Sequence, residues 1–149
     1  MDASMMKALA QAGGVATLSL AALGSAIGAC AAGLAAVGGW KKCYVQKKAA
    51  PFILVVFIGA PLSQTIYGMI LMNAIKNAPS FENWLAMAVA GILGGIALGV
   101  SAWLQGKAGA GCADALAETN QGFGNYLMTI GIIETVALFV LVFSMGALK

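Results

Sequence analysis

The sequence contains no histidine and no arginine, and it has few charged residues of any kind. Charged side chains make up 9% of the 149 residues and hydrophobic ones 61%, whereas soluble proteins average about one quarter charged residues. The three cysteines, Cys30, Cys43 and Cys112, are scattered and form no CxxC pair. A disulfide framework and a soft-metal site are therefore disfavoured. The composition indicates an integral membrane protein.

Long stretches of the chain carry no charge at all. They run from Ala8 to Trp40, from Ala49 to Ile75 and from Asn83 to Gly106, and Glu134 alone interrupts a fourth. Each is long enough for the ~20 residues that span a bilayer. We therefore predict an all-α membrane protein with transmembrane helices over about residues 12–39, 51–75, 84–112 and 124–147. They would form a single membrane domain, residues 1–149, of two hairpins over about 8–76 and 83–149.

The basic residues, all of them lysines, are unevenly distributed between the loops. Lys41, Lys42, Lys47 and Lys48 crowd the first loop, whereas the second holds Lys76 and Glu82. The positive-inside rule then places loops 40–50 and 113–123 in the cytoplasm and both termini outside. Because membrane orientation accounts for the lysine cluster, it gives no reason to expect nucleic-acid binding. A protein partner on these loops remains possible.

The two hairpins resemble each other, and their glycines follow a pattern. The segment from Gly28 to Ala36 is similar to that from Gly106 to Asp114, and fourteen of the twenty glycines lie in the first and third predicted helices. Small residues allow helix backbones to approach closely. We therefore expect these helices to form a crowded inner layer, with the bulkier second and fourth helices outside, as in concentric rings of many hairpins. The predicted packing glycines are Gly24, Gly28, Gly33, Gly91, Gly95, Gly99 and Gly106.

Glu134 is the most informative residue, because it is the one charged side chain within the fourth predicted helix. A carboxylate near the middle of a bilayer costs at least ~3 kcal/mol, so it is retained where it has a partner or a task. It could serve as a protonated hydrogen-bonding group between helices. We favour the interpretation that it binds an ion.

Other polar side chains lie at the depth of Glu134. Gln64 is sixteen residues after Lys48, Gln105 is fifteen before Asn120, and Glu134 is fourteen after it, which corresponds to about 21–24 Å of helix in each case. Ser63 and Gln64 precede Tyr67 by about one helical turn and share its side of the helix. Pro61 has no N–H, so a preceding carbonyl loses its helical partner. These groups could also be hydrogen-bonding groups between helices.

A hydroxyl, two amide oxygens, a carboxylate and a backbone carbonyl form an all-oxygen site suited to a hard cation. One negative charge is neutralised by a monovalent ion, so we predict Na⁺, with H⁺ on the carboxylate as the simpler alternative. A divalent ion would leave excess charge in a medium of low dielectric constant. Tyr67 lies too deep for an interfacial belt, and we expect its hydroxyl to bond to Glu134.

Four motifs, together with the duplicated four-helix layout, resemble the proteolipids, called K or c, of V-type and archaeal-type rotary ATPases. They are GSAIG, PLSQTIYG, QGKAGAG and IET at residues 24–28, 61–68, 105–111 and 133–135. The resemblance covers nearly the whole chain and extends to the sodium-translocating bacterial members. It implies that Glu134 is the ion-carrying carboxylate, that Ser63, Gln64 and Gln105 are ligands, that Ala60 supplies a carbonyl, and that Tyr67 lies beside the carboxylate.

The resemblance also implies what the protein does and which partners it has. Identical subunits would form a rotor ring that performs no catalysis, and Glu134 would carry its ion past membrane lipid between two half-channels. A stator protein would supply an Arg, and a central stalk would contact the lysine-rich loop and residues 113–122. The expected location is a bacterial or archaeal cell membrane. The alternatives are a small four-helix antiporter with one membrane Glu, although the first helix has no acid, and a purely structural bundle.

Overall fold

The computed structural model describes residues 1–148, and these contain helices but no strand. Four helices are long and apolar enough to cross a membrane: α1 (Ala3–Val45), α2 (Phe52–Lys76), α3 (Trp84–Thr119) and α4 (Phe123–Gly146). The prediction of an all-α protein with four membrane-length helices is therefore confirmed. Lys149, the last residue of the predicted second hairpin, lies outside the described residues.

α1 is longer than predicted at both ends. It begins at Ala3 because the carboxylate of Asp2 accepts a hydrogen bond from the amide of Met5 at 2.8 Å, which satisfies a free donor of the first turn. This backbone hydrogen bond, with one from the Ser4 hydroxyl, holds the pKa of Asp2 below its ordinary value. At the other end the helix includes Lys41 and Lys42, since a helix can continue into water where a membrane span ends.

α3 also continues past its predicted end, from residue 112 to Thr119. The added segment contains three alanines and a leucine, which favour helix. The residue after the helix, Asn120, has a left-handed φ of 53°, and Gly122 follows with φ of 83°. The linkers at this end of the bundle are therefore residues 46–51 and 120–122. The predicted loops 40–50 and 113–123 were too long, because most of their residues belong to helices.

The centre of the bundle is the contact between α1 and α3, the most extensive pair. These helices run parallel: Gly13 lies against Ala88, Gly24 against Gly99 and Gly39 against Ala117. A Cβ on Gly28 would collide with the backbone of Ala102. The hydroxyl of Thr17 crosses the same interface and donates to the carbonyl of Gly91 at 2.8 Å. Close approach of two backbones therefore requires glycine along this seam.

α2 packs mainly on α1, and α4 packs mainly on α3. Among the described residues, four outer-helix glycines have no neighbouring helix within 4 Å of an added Cβ, at positions 59, 124, 131 and 146, whereas Gly68 of α2 lies against Ala21 of α1. Six of the seven predicted packing glycines face another backbone, but Gly33 does not: its nearest neighbour would be a methyl group of Ile58 at 3.9 Å. Within one subunit Gly33 therefore has room for a side chain.

Gly28→Ala should destabilise the folded subunit, because the added methyl meets the Ala102 carbonyl and lies 3.1 Å from Pro61 Cβ. Overpacking of this kind costs about 1–3 kcal/mol. The measurement is the thermal unfolding midpoint of the detergent-solubilised protein. Gly131→Ala is the matched control, since that site is open and alanine favours helix. Equal midpoints for the two variants would contradict the packing of α1 on α3.

Candidate ion-binding site

Glu134 lies on α4 at the border between the bundle interior and its outer surface. Its side chain is half-buried, whereas Val136 and Phe139 on the same helix are exposed and Ala137 is buried against α3. The exposed face of α4 is apolar, with Val142 59% and Phe143 72% exposed. The carboxylate is therefore close to the surface that would face lipid or another copy of the chain.

Two side chains from neighbouring helices bond to the Glu134 carboxylate. The hydroxyl of Tyr67 on α2 donates to Oε1 at 2.7 Å. The amide Nε2 of Gln105 on α3 approaches Oε2 at 3.4 Å, near the outer limit of a hydrogen bond. The bond from Tyr67 to Glu134 is the contact that the sequence analysis predicts. Since Tyr67 also packs in two apolar clusters, its ring orientation is fixed by packing.

Gln64 and Gln105 form a fully buried pair of amides, both with no exposed surface. Nε2 of Gln64 donates to Oε1 of Gln105 at 2.8 Å, and Nε2 of Gln105 donates to the backbone carbonyl of Ile130 at 3.0 Å. Buried amides need such partners, because an unpaired one is unfavourable. The pair links α2 to α3, and the Ile130 bond links α3 to α4.

Pro61 shapes the part of α2 that carries the remaining groups. The residues from Ala60 to Leu62 form a 3₁₀ turn between two α-helical segments. The hydroxyl of Ser63 lies 3.0 Å from the Ala60 carbonyl and 3.2 Å from Oε1 of Gln64, so three oxygens are grouped on one side of α2. The carbonyl four residues before Pro61 is that of Phe57, and it faces Gly109 of α3. The Ala60 carbonyl therefore belongs to the cluster, but it is not the one that proline frees.

The six predicted site residues form one hydrogen-bonded network that starts and ends on α2. It passes from Ala60 and Ser63 through Gln64, Gln105 and Glu134 to Tyr67. Oxygen atoms outnumber any other kind of ligand atom here, and Glu134 supplies the one carboxylate of the network. Within residues 1–148 the one ion pair, between Lys42 and Glu118, lies elsewhere at the ends of α1 and α3. The donor set therefore fits a monovalent cation, or a proton on the carboxylate.

The sequence interpretation missed the carbonyl of Ile130, which accepts from Gln105. No sequence signal marks a particular backbone carbonyl, because its position depends on how α4 is rotated against α3. The interpretation also missed the hydrogen bond from the Trp40 indole to the Pro51 carbonyl, at 2.8 Å. That contact fixes the linker between α1 and α2.

Gln105→Leu should destabilise the bundle, because it leaves Nε2 of Gln64 buried without its acceptor and removes the hydrogen bond from α3 to the Ile130 carbonyl of α4. Each unpaired buried group costs about 1–3 kcal/mol. The thermal unfolding midpoint in detergent is the measurement, and Gln121→Leu in the exposed linker is the control. A variant as stable as the unmodified protein would show that these amide contacts do not hold the three helices together.

A family model matches part of the chain. Residues 88–146 match the family model for the C subunit of ATP synthase. The matched segment contains α4 and most of α3, and so includes Gln105 and Glu134. No curated protein matches the chain. The match, together with four membrane-length helices, supports an integral, multi-pass membrane protein in which residues 88–146 are similar to the C subunit of ATP synthase.

Proposed function

We propose that the protein is the ion-translocating proteolipid of the membrane rotor ring of a V-type or archaeal-type ATPase or ATP synthase. The observation that carries the proposal is the network around Glu134: one carboxylate, held by Tyr67 and Gln105, inside the segment that matches the ATP synthase family. The V/A-type assignment is supported by the two hairpins, which place a single membrane carboxylate in four helices. Identical subunits would form the ring.

The proposed cargo is Na⁺, and H⁺ is the alternative. Ser63, Gln64, Gln105 and Glu134 would hold the cation, with the Ala60 carbonyl beside them. Na⁺ must recover most of its lost hydration from several fixed oxygens, and the grouping of the Ser63 hydroxyl within 3.0–3.2 Å of the Ala60 and Gln64 oxygens supports this. A proton needs only the carboxylate and one neighbouring acceptor. Tyr67 would orient the carboxylate in either case.

The position of Glu134 supports a cycle of loading and release. Because the side chain is half-buried beside an exposed apolar surface, a neutralised carboxylate could pass through lipid, and a charged one would need an aqueous half-channel. The chain has no arginine, so the cation that helps to discharge the site would come from a stator protein. ATP hydrolysis or synthesis would take place in a soluble head, and this chain would perform no catalysis.

The cytoplasmic partner in this proposal is a central stalk. It would bind the ends of α1 and α3 with the linkers 46–51 and 120–122, where four of the eight lysines lie nearby. The positive-inside rule supports this orientation, with both termini outside. A bacterial or archaeal cell membrane is the proposed location.

Dicyclohexylcarbodiimide should label Glu134, because this reagent modifies protonated carboxyls in apolar surroundings and Glu134 is the one acid within α4. Peptide mass spectrometry of the labelled protein locates the modification, and one label per ring should stall coupled ATP hydrolysis. Glu134→Gln is the unlabelled control. Modification of Asp114 or Glu118 with Glu134 untouched would refute the assignment. The mass of the detergent-solubilised oligomer gives an independent check: a rotor forms a large ring, whereas an antiporter would be a dimer.

Sodium should protect Glu134 from the carbodiimide, because a bound cation keeps the carboxylate ionised. Protection should weaken as the pH falls, since H⁺ and Na⁺ compete for one site. Gln64→Leu should raise the protecting sodium concentration by roughly tenfold, about 1.4 kcal/mol for a lost oxygen ligand. Gln11→Leu on α1 is the control. Absence of protection by millimolar sodium at alkaline pH would establish H⁺ as the cargo.

A further inference from the structure

Two serine hydroxyls are buried in the bundle without a hydrogen-bond partner among the described residues. They belong to Ser25 on α1 and Ser101 on α3, which are 2% and 7% exposed. A hydroxyl within a helix can donate to the carbonyl four residues earlier, as those of Thr17, Ser19, Thr119 and Thr129 do. For Ser101 that acceptor would be the carbonyl of Ala97. The Ser101 hydroxyl does not make this bond, so it is available to another acceptor.

Ser101 lies on the side of α3 that faces α4. Gly94 is seven residues before it and Cys112 is eleven after it, so the three residues share one face of the helix. An added Cβ on Gly94 would lie 3.0 Å from Leu71 of α2 and 3.6 Å from the Ser144 hydroxyl of α4, and the thiol of Cys112 contacts the Tyr126 carbonyl of α4 at 3.9 Å. Ser101 therefore lies on the face of α3 that packs on α4, beside the contact with α2.

The level of Ser101 along α4 follows from its neighbours. Gln105, one turn later on α3, reaches Ile130 and Glu134. Leu98, one turn earlier, packs in the same cluster as Ala137. Ser101 is therefore opposite the stretch of α4 between Glu134 and Ala137. The Ser101 hydroxyl, a buried donor without an acceptor, is thus at the depth of the Glu134 carboxylate.

Glu134 has a carboxylate oxygen with few hydrogen-bond donors around it. Its Oε1 accepts a 2.7 Å bond from Tyr67, whereas Oε2 has the single 3.4 Å contact with Gln105. An ionised carboxylate has about four acceptor sites, so Oε2 has capacity for another donor. Within residues 1–148 Ser101 and Glu134 make no direct hydrogen bond, and the serine side chain is short. A gap between two polar groups of this kind is commonly bridged by a water molecule.

We propose that Ser101 binds one ordered water molecule that donates a hydrogen bond to Oε2 of Glu134. The water would have two polar partners, the Ser101 hydroxyl and the Glu134 carboxylate, and a buried water needs two to four. Ser101 is then a positioning residue that acts through the water, and it orients the carboxylate toward Gln105. The inference rests on the proposed function of Glu134, and it adds a water molecule to the groups around the cargo ion.

Ser25 provides a natural contrast. Gly14, eleven residues before it on the same face of α1, lies 3.5 Å from Ile75 of α2 when a Cβ is added. Ser25 therefore faces α2, and within residues 1–148 α1 makes no substantial contact with α4. Its hydroxyl has no route to Glu134 in this part of the chain, although its burial matches that of Ser101. Ser25→Ala is therefore the control for loss of a buried, unpaired hydroxyl.

A cryo-electron microscopy map of the assembled oligomer, at a resolution that shows ordered water, tests the proposal directly. We expect density for one water between Ser101 Oγ and Glu134 Oε2 in the unmodified protein, and none in Ser101→Ala. A Ser101 hydroxyl bonded to the Ala97 carbonyl, with no water beside Glu134, would overturn the proposal whatever ion the site carries.

Binding of radioactive sodium to the purified oligomer at one alkaline pH gives a second readout. Ser101→Ala and Ser101→Cys should both bind sodium about fivefold more weakly, because neither side chain is a strong donor to water near a charged group. Ser25→Ala should bind as the unmodified protein does. Normal binding by Ser101→Cys, or an equal loss in Ser25→Ala, would show a packing effect and contradict the proposal. If the unmodified protein binds no sodium, the proposed sodium cargo fails, and the map alone decides the role of Ser101.

Discussion

The direct contact of the α1 and α3 backbones is the constraint on which the rest of the structure depends. At Gly24, Gly28 and Gly99 the two helices leave no room for a Cβ, so they form a thin, rigid pair with little side-chain volume between them. Bulky residues must then lie on the other two helices, which pack on the outside of the pair. α2 and α4 therefore lie side by side. The polar network forms where both of these helices meet α3.

The network is stable because each of its buried amides finds a partner from another helix. Gln64 and Gln105 have no exposed surface, and each uses the other as a partner. In an apolar environment such bonds are costly to lose, so the network also determines how α4 is rotated against α3. The carboxylate itself remains at the margin of the bundle, half-buried. This position suits the proposed exchange of an ion, which requires access from outside the core together with fixed ligands inside it.

Much of this arrangement could be predicted from the sequence, since charge and glycine distributions are strong signals in a membrane protein. The four spans and the inner pair of helices follow from them, and Glu134 stands out by its charge. Depth along a helix is a matter of counting residues, which is why Ser63, Gln64, Gln105 and Glu134 could be grouped. Rotation about a helix axis cannot be obtained by counting residues. The position of the Ile130 carbonyl and the direction in which Ser101 faces therefore came from the structure. Helix ends were also missed, because alanine-rich helices continue into water beyond the last apolar residue.

The short linkers, residues 46–51 and 120–122, make one end of the bundle mechanically stiff. α1 has 43 residues and α3 has 36, lengths of about 65 and 54 Å, against a hydrocarbon layer of ~30 Å. Their ends are joined to each other by Lys42 with Glu118, by the thiol of Cys43 with the Ala117 carbonyl, and to the first linker by Trp40 with Pro51. A partner that binds this end contacts two continuous helices and not a flexible loop. A twisting force applied there reaches the level of Glu134 through unbroken backbone, with little elastic loss along the way.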